Sequence, residues 1–263
     1  MKNLFFIFLI FTCNFNSVQG QKIKAQKVSE TDLIADDFVG FDGFGNCFYI
    51  QNNVIYKKVE ATILQYQNLS LGKITKVDIV NPLKVIVFYK DFNSAVVLDN
   101  QMNEIQRIDF SNLPIPIVAA AIGISGQNKL WIFNSLNQQI GLYDLTNANY
   151  QNLGVPIKDE FSYYQTDFNY FHWINKDGQW NTCTIFGRVF SNGKIETGKQ
   201  IQLLDINKTL FTNNNLVYIK DVKLNTVYQI EIVEKSFKKI YYKDQILSIF
   251  TDKGITNYKI TLP

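Results

Sequence analysis

His172 is the only histidine among the 263 residues, so any imidazole base or imidazole metal ligand must be this one. It stands in Asn169-Tyr170-Phe171-His172-Trp173-Ile174, an apolar run with no second His and no Cys beside it. A zinc site of ordinary ligands has nothing to draw on there, and the run reads as a hydrogen-bonded strand position. A Ser-His-Asp arrangement would also have to use His172. No Gly-x-Ser-x-Gly elbow occurs, and Gly123-Ile124-Ser125-Gly126 reads as a turn ahead of Leu130. Cys47 and Cys183 have no adjacent basic residue to hold a thiolate. Their wide separation favours two buried free thiols over a disulfide.

Carboxylates offer the one enzyme reading that survives. Asp36, Asp37, Asp42, Asp78 and Asp167, with abundant Asn, could supply oxygen ligands to calcium, as a calcium-dependent hydrolase or lactonase requires. Asp36, Asp37 and Asp42 also fall where turns are expected. The glycine-rich run Gly40-Phe41-Asp42-Gly43-Phe44-Gly45 is followed by no helix that could present a phosphate site; it reads as a hairpin with Phe44 exposed. The expectation is a protein without catalytic residues, metal site or cofactor, and the calcium-dependent hydrolase is the alternative. Lys and Arg number 26 against 23 Asp and Glu. That balance excludes a nucleic-acid binder, which shows a basic stripe.

The elements that must position these residues are strands. Short β-branched and aromatic runs alternate with Asn/Asp/Gly turns, as in Phe48-Tyr49-Ile50, Val85-Ile86-Val87-Phe88-Tyr89 and Ala95-Val96-Val97-Leu98. Helical periodicity is nearly absent after residue 20. The most apolar runs begin at Phe48, Val85, Leu130, Tyr170, Leu216 and Ile246, at intervals of 37, 45, 40, 46 and 30 residues. Following runs begin at Val54, Ala95, Ile140, near Ile185, at Val227 and at Ile255. Two copies share one grammar, KVIVFYKDFNSAVVLDNQMNEIQRID and KLWIFNSLNQQIGLYDLTNANYQNLG, each with an Asp closing its third strand. A period near 40 residues predicts an all-β chain, a single β-propeller of five or six four-stranded blades over residues 21–263. A β-sandwich is the rival, but it does not require the repeated four-strand grouping. The short last interval predicts an incomplete C-terminal blade, completed by an outer strand from Lys22–Val28.

Aromatic residues crowd 159–190, EFSYYQTDFNYFHWINKDGQWNTCTIFGRVF. A two-sided blade cannot bury them all, so Tyr163, Tyr164 and Trp180, with Phe44, are the expected protein-contact residues.

The N-terminus sets the compartment. Lys2 precedes the apolar run Leu4–Phe11, too short to cross a bilayer, and Val18-Gln19-Gly20 offers a cleavage site. Residues 1–20 are read as a signal peptide, which places the protein in the periplasm or otherwise outside the cytoplasm. Lipid attachment at Cys13 is the other route, disfavoured by bulky Phe11 and Thr12 before it. The mature chain carries no membrane span.

With its signal-like start, Asn- and Lys-rich loops and the Lys84–Ile108 blade, the chain resembles small exported propeller proteins of the Bacteroidota. Within that group it looks like the plug subunit of the type IX secretion translocon. The resemblance implies a soluble periplasmic protein that acts by steric blockade and contact with an outer-membrane or secretion component, without turnover.

Overall fold

The computed structural model describes residues 21–196 and 198–262; residues 1–20, read above as a signal peptide, and Cys13 lie outside them. Two strands open the chain, β1 (Gln21–Lys24) and β2 (Gln26–Asp32). Six blades follow. Blade 1 is β3 (Asp37–Phe41), β4 (Cys47–Gln51), β5 (Val54–Val59) and β6 (Thr62–Tyr66); blade 2 is β7 (Lys76–Asp78), β8 (Val85–Tyr89), β9 (Ser94–Leu98) and β10 (Glu104–Asp109). Blade 3 is β11 (Ala119–Ser125), β12 (Lys129–Asn134), β13 (Gln139–Asp144) and β14 (Tyr150–Leu153). Blade 4 is β15 (Phe161–Thr166), β16 (Tyr170–Asn175), β17 (Gln179–Thr184) and β18 (Val189–Lys194). Blade 5 is β19 (Ile201–Leu203), β20 (Lys208–Asn213), β21 (Leu216–Asp221) and β22 (Thr226–Glu231), with β1 added in parallel outside β22. Blade 6 is β23 (Lys239–Lys243), β24 (Ile246–Phe250) and β25 (Gly254–Lys259), and its fourth strand is β2, antiparallel to β25. The chain is a six-bladed propeller.

Side-chain alternation builds the ring. In β8, Val85, Val87 and Tyr89 join a buried cluster with Phe48 and Ile55 of blade 1, while Ile86 and Phe88 join one with Ile122, Leu130 and Ile132 of blade 3. Successive strand residues point to opposite faces, and both faces of blade 2 are covered. That is why its central strands are apolar throughout. The same rule gives one buried cluster at each of the six blade interfaces, including Phe38 and Tyr49 against Phe250 and Ile255 where blade 6 meets blade 1. The smallest lies between blades 4 and 5: Ile174, Trp180, Ile195 and Leu203.

Glutamine side chains add to the seams on both sides of blade 5. Gln165 donates to the Leu203 carbonyl (2.8 Å) and accepts from its amide (3.0 Å); Gln202 does the same with Tyr242 (2.8 and 2.7 Å). Each amide acts as a short piece of ladder between inner strands of neighbouring blades. Closure is tight at Gly254 (φ +147°), where an added Cβ would overlap the Thr31 carbonyl of β2. Two-residue hairpins at Asn52-Asn53 and Asn214-Asn215 have both residues at positive φ, the turn geometry for which Asn is suited.

Three strand positions differ from those read in the sequence. Observed second strands begin at Cys47, Val85, Lys129, Tyr170, Lys208 and Ile246, at intervals of 38, 44, 41, 38 and 38 residues. Leu216 opens the third strand of blade 5 and Val227 lies in its fourth. The true second strand, KTLFTN, buries Thr209 and Thr212 and so lacks an apolar signature. In blade 4 the third strand is Gln179–Thr184, ahead of Ile185, for the same reason: it buries Thr182. The expected N-terminal outer strand forms, shifted to Gln26–Asp32.

Candidate functional site

Each blade runs from an inner to an outer strand, so the two ends of the ring differ. Turns from first to second and from third to fourth strand share one face. Turns from second to third strand, and the crossovers from one blade to the next, share the other. Inner strands β3, β7, β15, β19 and β23 line an axial cavity of about 1170 Å³.

The cavity is asymmetric, because β11 is Ala119-Ala120-Ala121-Ile122-Gly123 along most of its length and contributes nothing to the lining. Small side chains let blades 2 and 4 meet in front of it. Asp78 Oδ2 accepts from the Ile124 amide (2.9 Å) and the Thr166 hydroxyl (3.3 Å), and Oδ1 accepts from the Val80 amide (2.9 Å). A Cβ on Gly123 would overlap the Thr166 hydroxyl. Beside this junction the Lys76 ammonium lies 3.6 Å over the Tyr164 ring, and the Tyr164 hydroxyl reaches the Ile122 amide and carbonyl. Among the described residues Lys76 makes no hydrogen bond or ion pair. By contrast Lys239 pairs with Asp37 (2.9 Å) and Lys243 donates to the Phe41 carbonyl (3.3 Å).

Burial pulls Lys76 from the usual 10.5 down to about 8; Asp78 opposes the shift and Lys239 adds to it. The folded-state value lies below the unfolded one. The ammonium therefore costs stability, fully so below about pH 8, where both states are protonated, and the cost fades as pH rises toward the unfolded value. Burial likewise pushes up the Tyr163 and Tyr164 phenols, and the Tyr241 phenol to about 12.

The residues singled out in the sequence do not form one surface. Tyr163 and Tyr164 line the cavity. Phe44 is 67% exposed on the hairpin between β3 and β4, on the face opposite the crossovers. Trp180 is 0% exposed, packed between blades 4 and 5, and is corrected from contact residue to core. Its neighbour strand carries His172, whose Nδ1 lies 2.7 Å from Thr182 Oγ1 and whose Nε2 lies 3.6 Å from Asp167. This order resembles an acid–base–hydroxyl relay, but Thr182 is 0% exposed and donates to Asn192. No substrate reaches it. His172 and Thr182 form a buried polar strut, with Asp167 partly exposed at its end.

Of the carboxylates singled out in the sequence, Asp36, Asp37 and Asp78 border the axial cavity, while Asp42 and Asp167 lie away from it. Asp36 accepts from the Asn52 amide (2.6 Å). Asp42 accepts from the Phe44 and Asn46 amides, each 2.9 Å, and lies 3.9 Å from buried Lys57. Asp167 caps its own turn. Among the described residues no three His, Cys, Asp or Glu side chains gather as metal ligands would. Cys47 and Cys183 are both free, the first half-buried, and burial raises each thiol to about 11.

Sequence reasoning missed the crossover rim. Five of the six crossovers between blades carry an aliphatic side chain 71–82% exposed: Ile34, Leu69, Ile115, Val155 and Val233. The available signal was an apolar residue beside proline in a loop, as in Leu113-Pro114-Ile115-Pro116 and Val155-Pro156. Proline stiffens such loops and holds the side chain outward.

No protein-family model matches the chain, and no curated protein matches it in sequence. Among solved structures it is similar to selenomethionine-substituted virginiamycin B lyase from Staphylococcus aureus, with 13% identity, a TM-score of 0.56, and 85% of this chain and 79% of that one covered. It is also similar to the β-propeller domain of Cps50 (Swd1) from Myceliophteria thermophila, with 10% identity, a TM-score of 0.56, and 90% and 100% covered. A third is YCF48 bound to D1 peptide, with 11% identity, a TM-score of 0.50, and 93% and 99% covered. At these identities the likeness is one of fold, and the fold common to them is the β-propeller.

Proposed function

We propose that the protein is an exported, non-catalytic interaction module that lays its crossover face against a protein partner. The carrying observation is the repeated placement of an exposed aliphatic residue on five crossovers of one face. Single exposed apolar residues are ordinary, but recurrence at one topological position around the ring is the pattern of a docking surface. The solved YCF48 propeller with its bound peptide supports the idea that this architecture can present such a surface. The finer reading follows the signal-like N-terminus and the resemblance to small exported propellers: a periplasmic protein that occludes or assembles with an outer-membrane secretion pore by contact.

Capture from native envelope tests this reading. Wild-type protein as bait is expected to retain an outer-membrane barrel protein. A variant with Ile34, Leu69, Ile115, Val155 and Val233 changed to Asn is expected to lose it while unfolding at the same denaturant midpoint. Retention by that variant would contradict the proposal.

A further inference from the structure

We infer that the axial cavity is a binding site for a small organic oxyanion, a carboxylate or phosphate group seated on Lys76 with its body against Tyr163 and Tyr164. The site is separate from the crossover rim and does not depend on the interaction reading. Three observations carry it. First, the cavity falls close to the volume range of small-molecule sites, and its wall combines the rings of Tyr163, Tyr164, Tyr241 and Tyr242 with charged side chains, Lys76 among them.

Second, the polar groups around Lys76 are already engaged and Lys76 is not. Asp78 is taken by Ile124, Val80 and Thr166, Asp37 by Lys239, and the Tyr163 hydroxyl by Gln165. The ammonium has only the face of Tyr164, at 3.6 Å. The ammonium is half-buried and opens on the cavity, where no protein group replaces the part of its hydration that is lost. Here the missing partner is an anion, and the cavity is the space from which it would come.

Third, the fold makes room for this cation. β11 carries only small residues where the lysine and aspartate of β7 cross in front of it toward β15. A propeller that needed only a filled centre could have used apolar side chains at these positions. A lysine that burial holds at about 8 is a standing cost to the folded state, and such costs concentrate at functional sites.

The experiment is calorimetric titration at pH 7 with two probes, inorganic phosphate and benzoate, on the full chain. At least one is expected to bind wild-type protein with one-to-one stoichiometry. Lys76→Met is expected to weaken that binding about ten-fold or more, the scale of one lost charge-assisted contact. Lys76→Arg should stay within about three-fold, since it keeps the charge. Lys253→Met, exposed on the turn between β24 and β25 and away from the cavity lining, should leave the affinity unchanged. Because Lys76→Met removes a half-buried charge with no protein partner, its melting temperature should equal or exceed that of wild type, so lost binding cannot be assigned to unfolding. Absence of binding by both probes, or equal affinity in wild type and Lys76→Met, would overturn the inference. Either result leaves the crossover-face proposal standing.

Discussion

Trp180→Ala is expected to destabilise the protein by about 3–5 kcal/mol, the range for truncating a fully buried Trp. The side chain is wholly enclosed by Ile174, Ile195 and Leu203, with Tyr163, Ile201 and Val222 around them. This is the smallest of the six interface clusters, so few neighbours can move in to fill the void. Beside it on the same face of blade 4, His172 and Thr182 are hydrogen-bonded to each other and cannot collapse onto it. The indole nitrogen has no partner in its buried position. Trp180→Phe should therefore cost clearly less than Trp180→Ala, since it also removes an unsatisfied donor. Urea unfolding of the three proteins checks this. If Trp180 were a contact residue, the alanine variant would keep its midpoint and lose partner binding.

Removing residues 21–32 is expected to have a larger effect, on the order of 5 kcal/mol or more, comparable to the whole stability of a domain. β2 is the outer strand of blade 6 and pairs with β25 from Gln26↔Lys259 to Asp32↔Gly254; β1 adds four residues to the edge of blade 5. Their loss leaves β25 an open edge, free to pair with other chains, and breaks the sheet in which β2 is joined to β25. The expected outcome is aggregation or loss of cooperative unfolding. The register also provides a rescue. Gln26 lies opposite Lys259, so residues 26–32 appended after the C-terminus through a short loop would form an ordinary hairpin and should restore a monomer. A deletion that shifts the midpoint only slightly would mean that β2 decorates the ring without closing it.

The fold was legible because a propeller repeats one grammar. Unbroken apolar runs such as Val85–Tyr89 and Leu130–Phe133, turn residues after them, and an Asp at the end of the third strand recur often enough to fix the period. Where the reading slipped, in blades 4 and 5, the strands bury Thr182, Thr209 and Thr212. Buried hydroxyls acceptable to the fold look like loop residues in a sequence. The site was less legible. Asp78, Tyr163 and Tyr164 were singled out, but Lys76 in a three-residue strand is indistinguishable from a solvated edge lysine. Its isolation depends on the smallness of β11, a strand more than forty residues away, and on a ring closure that brings blade 4 across the axis. Trp180 failed as a contact residue because crowding of aromatics in sequence says nothing about which of two blade faces each one occupies.

Site-specific photo-crosslinking in the native envelope tests the central claim most directly. A photoreactive residue is placed singly at Leu69, Ile115 and Val155 on the crossover face and at Phe44 and Phe186 on the opposite face. The account predicts adducts to one outer-membrane or secretion protein from the three crossover positions and none from the other two. Adducts from Phe44 and Phe186 with none from the crossovers, or no protein adduct from any position, would contradict it.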